Sequence, residues 1–155
     1  MKRYFILARK SQDRTDRQIM SIDGQIDEIK KMAQRNDYQI VDILIEQKSA
    51  KKPGRPVFDQ MIERLKNGEA DGILCWKLNR LARNPVDAGT ISWLLQGNII
   101  KAIHSCERSY YPTDNVLMMQ IDFGIANQFI KDLSSDVKRG MRNKAQDGWN
   151  PVSTL

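Results

Sequence analysis

Arginine and hydroxyl side chains occur together in three short polar segments of the chain. The first segment is Arg9–Ser11, the second runs from Ser49 to Arg55, and the third holds Arg80 and Arg83. Each guanidinium group can donate two parallel hydrogen bonds to phosphate oxygens and is always charged. Four such groups brought together would form an anion site suited to phosphoryl transfer, because charge on the phosphate oxygens grows during nucleophilic attack. The competing interpretation is that these are solvated loop charges.

Ser11 is the best candidate for the attacking group. Its hydroxyl lies two residues after Arg9, and residues i and i+2 of an extended segment point to the same side. A Ser-His-Asp arrangement would need His104, the one histidine of the chain, and no G-x-S-x-G motif surrounds a serine. We therefore expect His104 to be a packed residue or a residue at the rim of the sheet. The carboxylates of the predicted loops are too scattered for a metal site, so the sequence predicts no metal.

The hydrophobic pattern predicts the elements that would bring these segments together. Strands are predicted at Arg3–Ala8, Gln39–Ile45, Gly72–Lys77 and Ile99–Ile103. Helices are predicted to follow the caps Ser21 and Asn84, to begin at Pro56 and Pro85, and to end near Gly68 and Gly97. This alternation predicts an α/β fold with a largely parallel central sheet and helices on both faces. Ligands bind at the carboxyl ends of the strands in such sheets, and the arginine-bearing segments fall there.

The C-terminal region has the pattern of one long helix. Apolar residues recur at helical spacing from Thr113 or Asp114 to Asp147, without a proline. About 34 residues in one helix would span about 50 Å, more than the diameter of a small domain. We therefore expect this helix to project from the body and to meet a partner subunit or a ligand. The predicted organisation is a catalytic α/β domain at 1–112, an oligomerisation and ligand-proximal helix at 113–148, and the start of a linker at 149–155.

The charge of the chain favours a polyanionic partner. Its 155 residues include 25 Lys and Arg against 19 Asp and Glu, a formal net charge of +6. Nucleic acid is the first candidate, although a merely basic protein would have the same composition. We expect no association with a membrane, because no apolar run approaches the roughly 18–20 residues of a membrane span. There is no signal-peptide pattern, and a cytoplasmic location is expected.

Four motifs, in order, resemble those of the serine recombinase family, the resolvases and invertases. They are ARKS at Ala8–Ser11, SIDGQ at Ser21–Gln25, RPVFDQM at Arg55–Met61 and KLNRLARN at Lys77–Asn84. The resemblance extends to DLSSDVKRGMRNKA at Asp132–Ala145, which is most similar to the large serine recombinases of phages and conjugative elements. ARKS alone is a weak signal. All the motifs in this order and at these spacings are a strong one, and they cover nearly the whole chain.

The resemblance implies a site-specific DNA recombinase with a resolvase-like fold and no metal or nucleotide cofactor. Ser11 would attack the scissile phosphodiester of double-stranded DNA, forming a 5′-phosphoserine link, followed by strand exchange and religation. The phosphate would be surrounded by Arg9, Arg55, Arg80 and Arg83, with supporting roles for Gln25, Ser49, Lys66, Asp71 and Asn79. The family acts as a dimer that becomes a tetramer when active, and its long helix leads toward DNA. The basic residues expected to lie along the DNA are Lys138, Arg139, Arg142 and Lys144.

Two positions depart from the family pattern. Asn79 stands where the family usually has the aspartate of a D-R-L motif, and an amide cannot carry a proton or a charge. Phe129 and Ile130 replace a Glu-Arg pair of the smaller members on the long helix, with Lys131 close by. The family's DNA-binding domains lie beyond the position of Leu155, so we expect the chain to be a fragment.

Two other functions stay open at this point. One is a catalytically impaired regulator that retains the oligomerisation helix, for which Asn79 is the best support. The other is a flavodoxin-like module that binds a phosphorylated small molecule. Such a module would favour a glycine-rich loop after the first strand, and the segment ARKSQD contains no glycine.

Overall fold

A five-stranded sheet forms the centre of the described part of the chain, in the strand order β2-β1-β3-β4-β5. The computed structural model describes residues 2–10, 21–47, 53–114 and 116–127. The strands are β1 (Arg3–Arg9), β2 (Gln39–Glu46), β3 (Gly72–Cys75), β4 (Ala102–Ser105) and β5 (Ser109–Tyr110). All neighbouring strands are parallel except β5, which is antiparallel to β4. The prediction of a largely parallel α/β fold is confirmed.

The helices cover both faces of this sheet, also as predicted. They are α1 (Ile22–Arg35), α2 (Pro56–Lys66), α3 (Leu78–Leu81), α4 (Pro85–Gln96) and α5 (Val116–Asn127). Successive residues of β1 point to opposite faces. Tyr4 and Ile6 pack in a cluster with α1, whereas Phe5 and Leu7 pack in a larger cluster with α2, α3, α4 and α5. Four helices thus share one face of the sheet.

The caps read from the sequence are present. The Ser21 hydroxyl accepts a hydrogen bond of 3.1 Å from the backbone N–H of Gly24 at the start of α1. The Asn84 side chain caps α4 by accepting a bond of 2.9 Å from the N–H of Asp87. Gly68 follows α2 with φ of +78°, in the left-handed region that glycine adopts without strain. Local side-chain chemistry therefore sets where these helices begin and end.

Several element boundaries differ from the sequence prediction. A helix, α3, stands where we expected a basic turn after the third strand, and β3 ends at Cys75 instead of Lys77. The fourth strand is Ala102–Ser105 instead of Ile99–Ile103, because the N–H groups of Ile99 and Ile100 both bond to the carbonyl of Leu94 and close α4. The short strand β5 was not predicted. Elements of two to four residues are too short to show a hydrophobic period.

Only the first part of the region predicted to form the long C-terminal helix lies within the described residues. Its first described segment is α5, which begins at Val116, two or three residues later than predicted. The remainder of the predicted helix to 148 and the predicted linker at 149–155 lie outside the described residues. Within the described ranges, no helix combines the length and the apolar content needed to cross a membrane.

His104 is a packed residue, as expected. It is 2% exposed, its Nε2 lies 3.1 Å from the Tyr4 hydroxyl, and its Nδ1 lies 2.6 Å from the hydroxyl of Ser109. Its ring stacks on Tyr38 with centroids 4.6 Å apart. Burial, with a smaller contribution from the charge of Lys2, lowers the pKa of His104 to about 4. The imidazole is therefore neutral at physiological pH and is used in packing.

Candidate active site

Buried arginines meet at the carboxyl edge of the sheet. Arg9 is the last residue of β1, Arg55 immediately precedes α2, and Arg80 lies in α3 after β3. Arg9 and Arg55 are each 1% exposed and Arg80 is 0% exposed. Arg83, half-buried, follows α3. Burying a charged group costs free energy unless hydrogen bonds or an opposite charge compensate, so these side chains are not solvated loop charges.

Gln25 fixes the backbone of Arg9. The Gln25 side chain is 0% exposed, and its Nε2 donates a bond of 2.9 Å to the carbonyl of Arg9. The N–H of Arg9 in turn donates to Gln25 Oε1 at 3.4 Å. This paired contact holds the end of β1 against α1. The predicted association of Gln25 with the arginine site is therefore present.

The four-residue helix α3 joins the arginines of different segments. Arg9 Nη2 donates a bond of 2.8 Å to the backbone carbonyl of Asn79, and Arg55 Nη2 donates one of 2.5 Å to that of Leu81. A helix leaves its last four carbonyls without intrahelical partners, and here two of them accept from guanidinium groups. Arg80 belongs to the same helix, with its guanidinium carbon 5.3 Å from the ring centre of Trp76. The site is thus centred on α3, a helix that the sequence analysis did not predict.

Arg55 has the most completely defined surroundings. Its Nε pairs with Asp87 Oδ2 at 3.2 Å, and its guanidinium lies 4.1 Å above the ring centre of Phe58. The buried Nη1 has no hydrogen-bond partner among the described residues. Burial lowers the pKa of Arg55, while the nearby carboxylates of Asp87 and Glu46 oppose that shift. An anion bound beside Nη1 would satisfy this donor and favour the charged form.

Sequence reasoning missed two buried carboxylates that support the site. Glu46 is 2% exposed, and its Oε2 accepts bonds of 3.0 Å from the N–H groups of both Val57 and Phe58 at the start of α2. Asp87 is 4% exposed and contacts Arg55. Asp87 stands three residues after the cap Asn84, a spacing that could have identified it. No sequence signal could have identified Glu46, because its contact joins the end of β2 to a later helix.

Other predicted site residues lie elsewhere or outside the description. Lys66 is exposed in the last turn of α2 and pairs with Glu63 at 3.4 Å, at the opposite end of that helix from Arg55. Asp71 precedes β3 at the amino edge of the sheet, where the backbone N–H of Arg3 lowers its pKa through a bond of 2.9 Å. The structure does not bring these two side chains to the arginines. The residues outside the description are Ser11, Ser49, Lys138, Arg139, Arg142 and Lys144.

Asn79, which precedes Arg80 in α3, lines an open cavity. The cavity has a volume of about 390 Å³ and is also lined by Lys77, Glu107 and Asp122. The buried Oδ1 of Asn79 has no hydrogen-bond partner among the described residues. Arg9 is therefore held by the backbone carbonyl of Asn79 and not by the Oδ1 atom of the Asn79 side chain. Over the described ranges, no three His, Cys, Asp or Glu side chains are grouped so that they could hold a metal ion.

Solved structures of recombinase domains have the same fold. The N-terminal catalytic domain of TP901-1 integrase is 27% identical, with a TM-score of 0.60 over 85% of this chain and 98% of that chain. A resolvase family site-specific recombinase from Streptococcus pneumoniae is 22% identical, with a TM-score of 0.59 over 94% and 99%. The C-terminal catalytic domain of ISC1926 TnpA, an IS607-like serine recombinase, is 18% identical, with a TM-score of 0.54 over 98% and 89%. The last two similarities concern the fold alone.

A family comparison covers almost the entire chain. The model described as the N-terminal domain of resolvase matches residues 4–150. Comparison with curated proteins finds no match. The matched range includes the ARKS and KLNRLARN motifs, the convergent arginines, and the described sheet apart from Arg3 at the start of β1. The chain therefore belongs to the resolvase family and is the catalytic domain of a serine recombinase.

Proposed function

We propose that the Ser11 hydroxyl is the nucleophile that cuts DNA. Its Oγ attacks the scissile phosphorus, a phosphoserine bond to the 5′ side forms, and the bond to the 3′ oxygen breaks. The Ser11 hydroxyl loses its proton as it attacks, and the 3′ oxygen takes up a proton and leaves as a hydroxyl, so that no net proton is gained or lost. After strand exchange, that hydroxyl attacks the phosphoserine and releases Ser11. The observation that carries this proposal is that Arg9 and Arg55 both bind carbonyls of α3, the helix that contains Arg80. Of these three arginines, Arg9 lies two residues before Ser11 in the sequence.

The arginines have the properties that a phosphoryl-transfer site requires. Arg9 and Arg55 are held by backbone carbonyls, so little reorganisation is needed when charge develops on the phosphate. Arg55 Nη1 is a buried donor that a phosphate oxygen can satisfy. Arg80 and Arg83 add charge from the same short segment. One preorganised donor of this kind is typically worth about 10²–10³ in rate.

We further propose that a second copy of the chain covers α5. Met118 and Ile125 on this helix are 51% and 70% exposed, although both are apolar. Exposed apolar patches usually mark interfaces, and the predicted continuation of the helix carries further apolar residues. Lys138, Arg139, Arg142 and Lys144 would then lie along DNA phosphates, in a dimer that becomes a tetramer when active. In this proposal the assembled protein acts on double-stranded DNA in the cytoplasm.

A covalent adduct tests the nucleophile. The recombinase is incubated with a nicked suicide substrate that carries its recombination site, and adducts are separated on a denaturing gel. We expect adducts with the wild type and none with Ser11→Ala, which should still bind the site. Ser109→Ala, which removes a serine hydroxyl on β5 that contacts His104 and none of the site arginines, is the control and should form adducts normally. Normal adduct levels with Ser11→Ala would refute the assignment.

Sedimentation equilibrium tests the interface. We expect self-association of the wild type that Met118→Asp and Ile125→Asp weaken. Ile45→Asp is the control, since Ile45 is also apolar and 42% exposed but lies on the edge strand β2. A strictly monomeric wild type at high concentration, or equal weakening by all three substitutions, would contradict the proposed role of α5.

A further inference from the structure

Asp87 is a buried carboxylate at the arginine site that no sequence motif assigned to the reaction. Its side chain is 6% exposed and lies in the first turn of α4. Its Oδ2 accepts two hydrogen bonds, one of 3.2 Å from Arg55 Nε and one of 2.8 Å from Asn84 Nδ2. These donors come from different segments of the chain. The carboxylate is therefore fixed in orientation as well as in position.

The start of α4 holds Asp87 in place. Asn84 is the N-cap of this helix, and its Oδ1 accepts the backbone N–H of Asp87 at 2.9 Å. Pro85 follows at the first helical position, where its restricted φ favours the helix. Both polar atoms of the Asn84 side chain are thus used on Asp87. The position of the carboxylate depends on α4. Arg55, its partner, immediately precedes α2 and lies 32 residues earlier in the chain than Asp87.

The guanidinium group of Arg55 is consequently held by contacts to two of its nitrogens and to one face of its plane. Its Nε contacts Asp87, its Nη2 contacts the carbonyl of Leu81 at 2.5 Å, and Phe58 lies under the guanidinium plane. The third nitrogen, Nη1, is buried and has no partner among the described residues. Leaving a buried donor unsatisfied costs free energy, so the fixed orientation of Arg55 favours an anionic oxygen at Nη1.

We propose that Asp87 is a positioning residue for DNA cleavage, which orients Arg55 so that Nη1 faces the scissile phosphate. This inference rests on the proposed function, in which Arg55 contacts that phosphate. Asp87 acts through Arg55 and does not touch the reacting atoms. Its negative charge also favours the charged form of Arg55, because burial alone lowers the pKa of that guanidinium. Removing the carboxylate should therefore affect the chemical step more than DNA binding.

Single-turnover adduct formation by the recombinase tests this role. The suicide substrate is used at saturating concentration, and the rate, the final amplitude and the affinity for DNA are measured separately. We expect Asp87→Ala to slow adduct formation by about tenfold to a hundredfold, because small misplacements of a catalytic group have effects of that size. Affinity for DNA should change by less than about threefold, since phosphate contacts across the whole duplex dominate binding. Asp87→Asn, which keeps one acceptor oxygen, should retain more activity than Asp87→Ala.

Two controls separate positioning from folding. Asp59→Asn removes a carboxylate whose charge also acts on Arg55 but which makes no hydrogen bond to it, and this variant should react at the wild-type rate. In an Arg55→Lys background, the additional effect of Asp87→Ala should disappear, because residues that act as one unit are not additive. A loss of amplitude with an unchanged rate would identify Asp87 as a folding residue only and would overturn the proposal.

The outcomes distinguish this inference from the proposed function. If the wild type forms no adduct, or if Ser11→Ala forms adducts normally, the proposed function itself fails. If the wild type forms adducts and Asp87→Asn forms them equally fast, only the role of Asp87 is refuted. Should Asp87→Ala fail to fold, Asp87→Asn alone decides the question, because it preserves the shape of the side chain and removes its charge.

Discussion

The Arg9 side chain contacts the backbone of Asn79 and not the Asn79 side chain. Arg9 Nη2 donates a hydrogen bond of 2.8 Å to the Asn79 carbonyl. Position 79 is where the chain departs from the usual aspartate of the family. A backbone carbonyl is present whichever residue stands there. The contact that ties the end of β1 to α3 is therefore independent of the departure, and the asparagine gives no reason to expect a misplaced Arg9.

This relationship predicts a small effect of restoring the aspartate. We expect Asn79→Asp to change the single-turnover cleavage rate by less than about tenfold and to leave the shape of its pH profile unchanged. A general acid or base at this position would instead contribute about 10²–10⁴-fold. A large increase in rate together with a new ionisation in the profile would show that position 79 handles a proton and that this chain is a weakened enzyme.

The burial of Arg80 predicts that lysine cannot replace it. Arg80 is 0% exposed, and a lysine ammonium group lacks the planar fork that can donate two parallel bonds to a phosphate. We expect Arg80→Lys to slow adduct formation by at least about a hundredfold. Arg108→Lys is the control, since the Arg108 side chain is 60% exposed and pairs with Asp122 on α5. Full activity of Arg80→Lys would mean that Arg80 does not stabilise the transition state.

Two glycines predict opposite changes in stability. A Cβ atom on Gly72 would collide with the carbonyl oxygen of Ala102 and lie 2.7 Å from Tyr4 Cε1, so Gly72→Ala should lower the free energy of unfolding by about 2–3 kcal/mol. A Cβ atom on Gly89 in α4 would have nothing within 4 Å, so Gly89→Ala should raise it by about 0.5–1 kcal/mol. Urea denaturation measures both. Equal effects of the two substitutions would contradict the close approach of β3 and β4 at Gly72.

His104 predicts a loss of stability in acid. Burial holds the pKa of His104 at about 4 in the folded protein, against 6.5 for an exposed histidine. Between these pH values the unfolded chain binds a proton that the folded chain does not, so stability falls as the pH drops from about 6.5 to 4. The loss due to this group should reach on the order of 2–3 kcal/mol near pH 4.

The histidine prediction is checked by comparing urea denaturation of the wild type and His104→Gln across pH 4–8. The difference in unfolding free energy between the two proteins should shrink as the pH falls through this range, because glutamine cannot take up a proton. A constant difference across the range would show that His104 is not held neutral by its packing with Tyr4 and Tyr38.

The sequence by itself determined the four parallel strands of the sheet, the caps and the identity of the arginines. Ser21, Asn84 and Pro56 act within a few residues of their own position, so their effect can be read locally. Likewise, the apolar run of β1 is long enough to show that it is buried. The parallel arrangement follows from the alternation of strands and helices, and with it the prediction that Arg9, Arg55 and Arg80 share one edge.

Only the tertiary structure decided how those arginines are held. Helix α3 has four residues, too few for a recognisable period, and yet its carbonyls receive Arg9 and Arg55. Asp87 and Glu46 are linked to the site by contacts between segments far apart in the chain, which no local pattern encodes. The same reason explains why Lys66 and Asp71 were expected at the site but lie at the other edge of the sheet. A side chain's neighbours depend on how helices and strands pack, and packing is a property of the whole chain.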